Sequence, residues 1–125
     1  MYTIPDDYNH VMPYLIVKDA VAFMDFIAHV LGGTEKMRHM RGDHTIMHAE
    51  MCIGHSVVMI AEATDEYKPC TAGLFVYVPD ADASYQKALD AGAVSIMGMS
   101  DQSYGRTCGV LDTWGNTWWI TSWKG

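Results

Sequence analysis

His48 and Glu50 stand two residues apart in the stretch MHAEM. On a strand that spacing sends both side chains to one face. A carboxylate beside an imidazole fixes its tautomer and tunes its acidity, so the pair is the leading acid/base candidate. The structural alternative is a polar pair lining a cavity and hydrogen-bonded across strands. His10 lies two residues before Met12, and Glu62 continues the parity of Val58. A set of His10, His48, Glu50 and Glu62 would offer the imidazole and carboxylate donors that a borderline divalent ion takes. Cysteine offers less. Cys52, Cys70 and Cys108 show no CxxC spacing, and a thiol in an apolar strand with no activating neighbour is inert. There is no GxSxG elbow and no glycine-rich phosphate loop.

The tryptophans form a second constellation. Trp114, Trp118, Trp119 and Trp123 crowd the end of the chain. On a strand, Trp119 and Trp123 share one parity and Trp118 takes the other. One set can pack under a helix while the other presents a flat aromatic wall to a planar ligand. Tyr104 and Arg106 fall in a polar segment expected to be a loop before the seventh strand. There Arg106 would neutralise an anionic ligand, the alternative being a solvated surface arginine. Met12, Met59 and Met97 or Met99 would add a soft lining or simply fill core space.

The elements that must position these residues follow from the pattern. Val11 to Val17 reads as a strand, with Pro13 marking an edge or a bulge. Asp19 is placed as a helix cap, and Val21, Phe23, Phe26, Ile27, Val30 and Leu31 give one apolar face that Gly32-Gly33 ends. Strands are expected over 34–40, 45–53 and 56–63, with turns at 41–44 and 54–55. Residues 64–73 have linker chemistry. The pattern then restarts: a buried strand over 74–78, Asp80 as a second cap, a helix through Leu89, and strands over 94–99, 107–111 and 117–123. A loop covers 102–106. YLIVKDA (14–20) lies over FVYVPDA (75–81) at an offset of 61 residues, and GHSVVMI (54–60) lies over GNTWWIT (115–121) at the same offset. The reading is one α+β domain over 1–125 made of two βαβββ modules, 10–63 and 74–123, with strongly twisted sheets whose open faces form a cup.

Composition limits what such a domain does. The chain has 125 residues, too few for two enzyme domains. Eight Lys and Arg against fifteen Asp and Glu give a net charge of −7. That balance argues against nucleic acid and anionic membrane as partners. No apolar run reaches a membrane span, and the acidic start MYTIPDDYNH has no signal pattern. Three sparse cysteines suit reduced thiols, so a cytoplasmic location is expected.

Five segments, IPDDY (4–8), MPYLIVKDA (12–20), LGG (31–33), MHAEMCIGHSVVMIAE (47–62) and DQSYGRTCGVLDTWGNTWWIT (101–121), together resemble the vicinal oxygen chelate superfamily of glyoxalases, bleomycin-resistance proteins and dioxygenases, and within it the PhnB-like group. The resemblance implies paired βαβββ modules, commonly a homodimer, and a small-molecule cup; it does not imply one reaction. In catalytic members four side chains, on the first and last strand of each module, hold a divalent metal. Carried onto this chain, those positions fall on Met12, on Val58 or Met59, on Gly73 and on Trp119. None is His, Asp, Glu or Gln.

The expectation is therefore a cofactor-free protein that binds an apolar or aromatic molecule, such as an antibiotic, by shape and stacking. Met12, His48, Glu50, Met59, Tyr104, Arg106 and Trp119 are the expected ligand-binding residues. A metal-dependent lyase, isomerase or dioxygenase built on His10, His48, Glu50 and Glu62 is the alternative.

Overall fold

The structure is a computed structural model, and it describes residues 2–124. Eight strands and two helices run in the order β1 (Tyr14–Val17), α1 (Ala20–Leu31), β2 (Thr34–Arg41), β3 (Thr45–Ile53), β4 (Ser56–Glu62), β5 (Gly73–Tyr77), α2 (Ala81–Asp90), β6 (Val94–Gln102), β7 (Gly105–Leu111) and β8 (Thr117–Ser122). This is βαβββ twice, an α+β architecture. The chain divides into two compact units, residues 1–28 with 33–70 and residues 29–32 with 71–125. The boundary after Cys70 falls inside the stretch read as a linker.

In the first unit the strands are ordered β1-β4-β3-β2. β1 runs parallel to β4, and the other pairs are antiparallel. Alternation separates two faces. Leu15, Ala49, Met51, Val58 and Ile60 fall on one face and are buried, as are Phe23, Met24 and Ile27 of α1. These residues form the core of the unit. Tyr14, Glu50, Met59 and Met37 fall on the other face.

The start of α1 is held twice over. Asp19 Oδ1 accepts from the Ala22 amide at 3.3 Å, the expected cap, with Asp19 at φ +60°. Glu62 reaches across from β4, and its two carboxylate oxygens accept from the Asp19 and Ala20 amides at 2.8 and 2.9 Å. Gly32 at φ +72° ends the helix in the left-handed conformation that glycine adopts freely. β1 starts later than expected. Pro13 has no N–H, and its carbonyl accepts from Met59, so the ladder stops there and Met12 lies before the strand. The outer edge of β1 is not left open: Ile16 and Cys70 exchange both backbone hydrogen bonds, at 3.0 and 2.9 Å.

The second unit repeats the topology as β5-β8-β7-β6. Asp80 caps α2 through a bond from the Ala83 amide at 3.1 Å. Val76, Cys108, Val110, Trp118 and Ile120 are buried, as are Ala81, Ser84 and Ala88 of α2. The turn DTWGN is built on one carboxylate. Asp112 Oδ1 accepts from the Trp114, Gly115 and Asn116 amides at 2.8–2.9 Å, and Oδ2 accepts from Asn116 Nδ2 and Trp118 Nε1, both at 2.9 Å. Five donors around a buried carboxylate explain why the terminal segment has so distinctive a sequence: it is a structural turn.

Two boundaries move. The segment read as a loop over 102–106 shrinks to Ser103 and Tyr104, because Gln102 pairs with Gly105 and the strands run on to a tight hairpin. β8 stops at Ser122, so Trp123 lies beyond it. The duplication also slips by one residue at its end. Tyr14 pairs with Met59, and Phe75 pairs with Trp119. The offset is 61 for the first strands and 60 for the last.

Candidate ligand-binding faces

Each unit presents one side-chain row on the sheet face away from its buried core. In the first unit the row across the four strands is Tyr14, Met59, Glu50, Met37. In the second it is Phe75, Trp119, Gly109, Met97. The rows occupy matching places in the two sheets but carry different chemistry.

The first row is organised by hydrogen bonds. Glu50 is 4 % exposed. Its Oε1 accepts from the Tyr8 hydroxyl at 2.6 Å, and its Oε2 lies 2.8 Å from His48 Nε2. With the Nε2–H tautomer, His48 donates to Glu50, and its Nδ1 accepts from the Tyr14 hydroxyl at 3.1 Å. The His48 and Tyr14 rings lie against each other with centroids 5.5 Å apart. Burial pushes the Glu50 carboxyl up, but the bonds from Tyr8 and His48, with the nearby positive charge, outweigh it and hold the acid below its ordinary 4.5. Tyr8 is raised above 10.0, chiefly because its proton is committed to Glu50. Tyr8 in turn lies under Lys36, whose ammonium sits 5.0 Å from the ring centroid and pairs with Asp7. The N-terminal arm is thus laid against its own sheet.

The second row is aromatic. Trp118 is 1 % exposed and points to the core, whereas Trp119 is 37 % exposed on the opposite face. The indole lies directly on Gly109: a methyl group placed there would come within 2.7 Å of Trp119 Cε3 and closer still to Cζ3. Phe75 and Tyr77 stand on the same face, 51 % and 54 % exposed, in edge contact at 5.1 Å between centroids. Tyr104 and Trp123 extend the group, at 6.2 Å from Phe75 and 6.4 Å from Tyr77. Deeper on this face the hydroxyls of Thr107 and Thr121 bond to each other at 2.8 Å.

The expected site residues therefore separate. His48, Glu50 and Met59 are brought together in the first unit. Tyr104 and Trp119 share the aromatic face of the second. Met12 is half-buried ahead of β1. Arg106 is not with Trp119. Because β7 starts at Gly105, Arg106 takes the parity of Cys108 and Val110, and its Nε and Nη2 donate to Asp82 of α2 at 3.1 and 3.0 Å, with Asp101 3.6 Å from Nη1. The bond to Asp82 comes first among the contacts that hold its guanidinium more firmly protonated than usual.

The family's metal positions can also be placed. Of Val58 and Met59, Met59 takes the last-strand position, because Val58 pairs with Met51 on the buried face. The four positions then hold Met12, Met59, Gly73 and Trp119. A thioether pair, a glycine and an indole do not suit the metal that imidazole and carboxylate hold in the family. The relocated set is not assembled either. Glu62 is spent on the α1 amides, and His10 packs on the edge of the Tyr2 ring at 5.8 Å. Among the described residues no three His, Cys, Asp or Glu side chains converge.

Phe75, Tyr77, Tyr8 and Tyr14 are additions that the residue reading missed. Phe75 and Tyr77 alternate with buried Val76, a period-two signal visible in LFVYV. Tyr8 and Tyr14 meet Glu50 and His48 only through tertiary folding.

The family model of the Glyoxalase/Bleomycin resistance protein/Dioxygenase superfamily matches residues 7–120. The chain belongs to this superfamily. An uncharacterised protein of Mycobacterium bovis is 30 % identical over 118 residues, covering 85 % of this chain and 78 % of that protein. The structure is similar to that of TioX from Micromonospora sp. ML1, with a TM-score of 0.72 and 25 % identity over 91 % of this chain and 95 % of the other. A PhnB protein from Bacillus cereus shares the fold at a TM-score of 0.74 and 14 % identity, covering 91 % and 99 % of the two chains. So does TnmS3, an antibiotic binding protein from Streptomyces sp. CB03234, at 0.65 and 16 %, covering 94 % and 100 %.

Proposed function

We propose that this member of the superfamily binds a flat apolar or aromatic molecule and holds it unchanged, without a metal. The observation that carries the reading is the face formed by Phe75, Tyr77 and Trp119. Large aromatic rings left partly open to solvent on one sheet face, with Trp119 seated on a glycine, are a stacking surface. The chemistry of Met12, Met59, Gly73 and Trp119 supports the metal-free part. On the first unit's own face, the Glu50–His48–Tyr14 bonds make a separate polar patch. Sequestration of an antibiotic fits this reading, since removal of a toxic compound then needs only affinity and abundance; the fold shared with an antibiotic binding protein is consistent with it. In the same reading the chain acts as a cytoplasmic homodimer.

Tryptophan emission tests the proposal. Titration with planar aromatic compounds should quench the wild-type protein saturably. Trp119→Ala should lower the affinity at least tenfold while its folded baseline is kept, in line with stacking worth roughly 1 kcal/mol or more beyond burial. Unchanged affinity in a folded Trp119→Ala protein would remove the face from the site.

A further inference from the structure

A cavity of about 370 Å³ in the first unit is lined by Tyr14, Ile16, Arg41, Met47, Ala61, Glu62, Thr64 and Tyr67. Its walls owe their form to two local features. Met47 is the extra residue of a bulge in β3, since His39 pairs with His48 and Met40 with Ile46. Bulges re-aim side chains in this way. Arg41 stands at the last pair before the 42–44 turn, opposite Thr45. It is thus anchored by backbone while its side chain is free.

The polar groups around the cavity are unequal. Both Glu62 oxygens accept amide hydrogens from the start of α1, which turns its acceptor lone pairs away from the cavity but leaves its negative charge in place, so Arg41 is the cation that must draw an anion in. The Tyr14 hydroxyl is bonded to His48. Thr64 Oγ1 accepts from the Tyr67 amide at 2.9 Å. Among the described residues, the Arg41 guanidinium has no ion pair and the Tyr67 hydroxyl has no partner. Two free donors, one of them cationic, thus share a pocket with an aromatic ring, an isoleucine and a methionine.

We infer that this cavity takes a planar organic monocarboxylate, with the carboxylate on Arg41 and Tyr67 and the ring body against Tyr14, Ile16 and Met47. Arg41 offers the forked geometry that recognises a carboxylate. In a chain of net charge −7 an anion needs such a local cation to dock at all. The inference rests on the reading that the protein binds small aromatic molecules, and it adds a charge preference which the aromatic face of the second unit does not supply.

The experiment compares naphthoate with naphthamide, which have the same ring system and differ in charge. Calorimetric titration of the full chain should give naphthoate at least tenfold higher affinity. Arg41→Gln should abolish that preference by lowering naphthoate affinity far more than naphthamide affinity, while Arg41→Lys should keep part of it. Tyr67→Phe should reduce the preference a few-fold. Equal binding of the two probes to wild type would overturn the carboxylate assignment and leave the aromatic-binding reading standing. A preference that survives Arg41→Gln would overturn the role of Arg41. Failure of both probes to bind would overturn both readings.

Discussion

Replacing Gly109 by alanine should show whether the Trp119 indole lies where the ligand reading needs it. A methyl group at position 109 would meet Trp119 Cε3 at 2.7 Å, and Ile96 Cγ1 at 3.1 Å. Carbon atoms pack at about 3.5–4.0 Å, so the indole edge must withdraw by about 1 Å. Overpacking of this kind costs about 1–3 kcal/mol. Against it stands a gain of about 0.4–1 kcal/mol from the stiffer unfolded chain. The net expectation is a loss of up to about 2.6 kcal/mol, read as a lower urea midpoint at constant slope. The decisive comparison is the same change in a Trp119→Ala background. With the indole gone only the milder approach to Ile96 Cγ1 remains, and Gly109→Ala should become close to neutral or stabilising. A change of sign between backgrounds is a coupling between the two positions, which a double-mutant cycle measures. Equal effects in both backgrounds, or stabilisation in the wild type, would refute the placement of the ring on Gly109.

Glu50 predicts an acid limb in stability. Its pKa lies below 4.5 when folded, so its stabilising contribution is present above 4.5 and is lost as pH falls below that value. Urea midpoints at about pH 6 and about pH 3.5 should therefore fall less in Glu50→Gln than in the wild type; an equal fall would place the acid limb elsewhere. Cys108 is buried, and burial pushes its thiol up to about 11. A thiol reagent at neutral pH should label exposed Cys70 first, half-buried Cys52 more slowly and Cys108 only on unfolding; prompt labelling of Cys108 in the native protein would contradict its burial.

Much of the fold was legible in the sequence because period-two and helical patterns alternate cleanly. Asp80, Gly32 and the two-residue turn at 54–55 mark boundaries by chemistry that allows few alternatives. The errors have a common cause. QSYGR is polar enough to resemble a loop, yet six residues of 100–107, three of them in QSYGR itself, pair across a hairpin closed by Ser103 and Tyr104. That extension fixes the parity of Arg106 and sends it to Asp82, away from Trp119. The apolar composition of LFVYV points to a buried strand, whereas its aromatic residues alternate outward. The His48–Glu50 pair was legible because two-residue spacing is local. Its bonds to Tyr8 and Tyr14 were not, since they span 42 and 34 residues and depend on where the arm and β1 come to lie.

The claim that this fold binds without a metal is tested most directly by calorimetry of a planar aromatic ligand against protein stripped with a chelator. The account predicts saturable binding with unaltered affinity, and recovery of the ligand chemically unchanged. Binding that returns only when a divalent ion is restored, or a ligand recovered as a different compound, would contradict it.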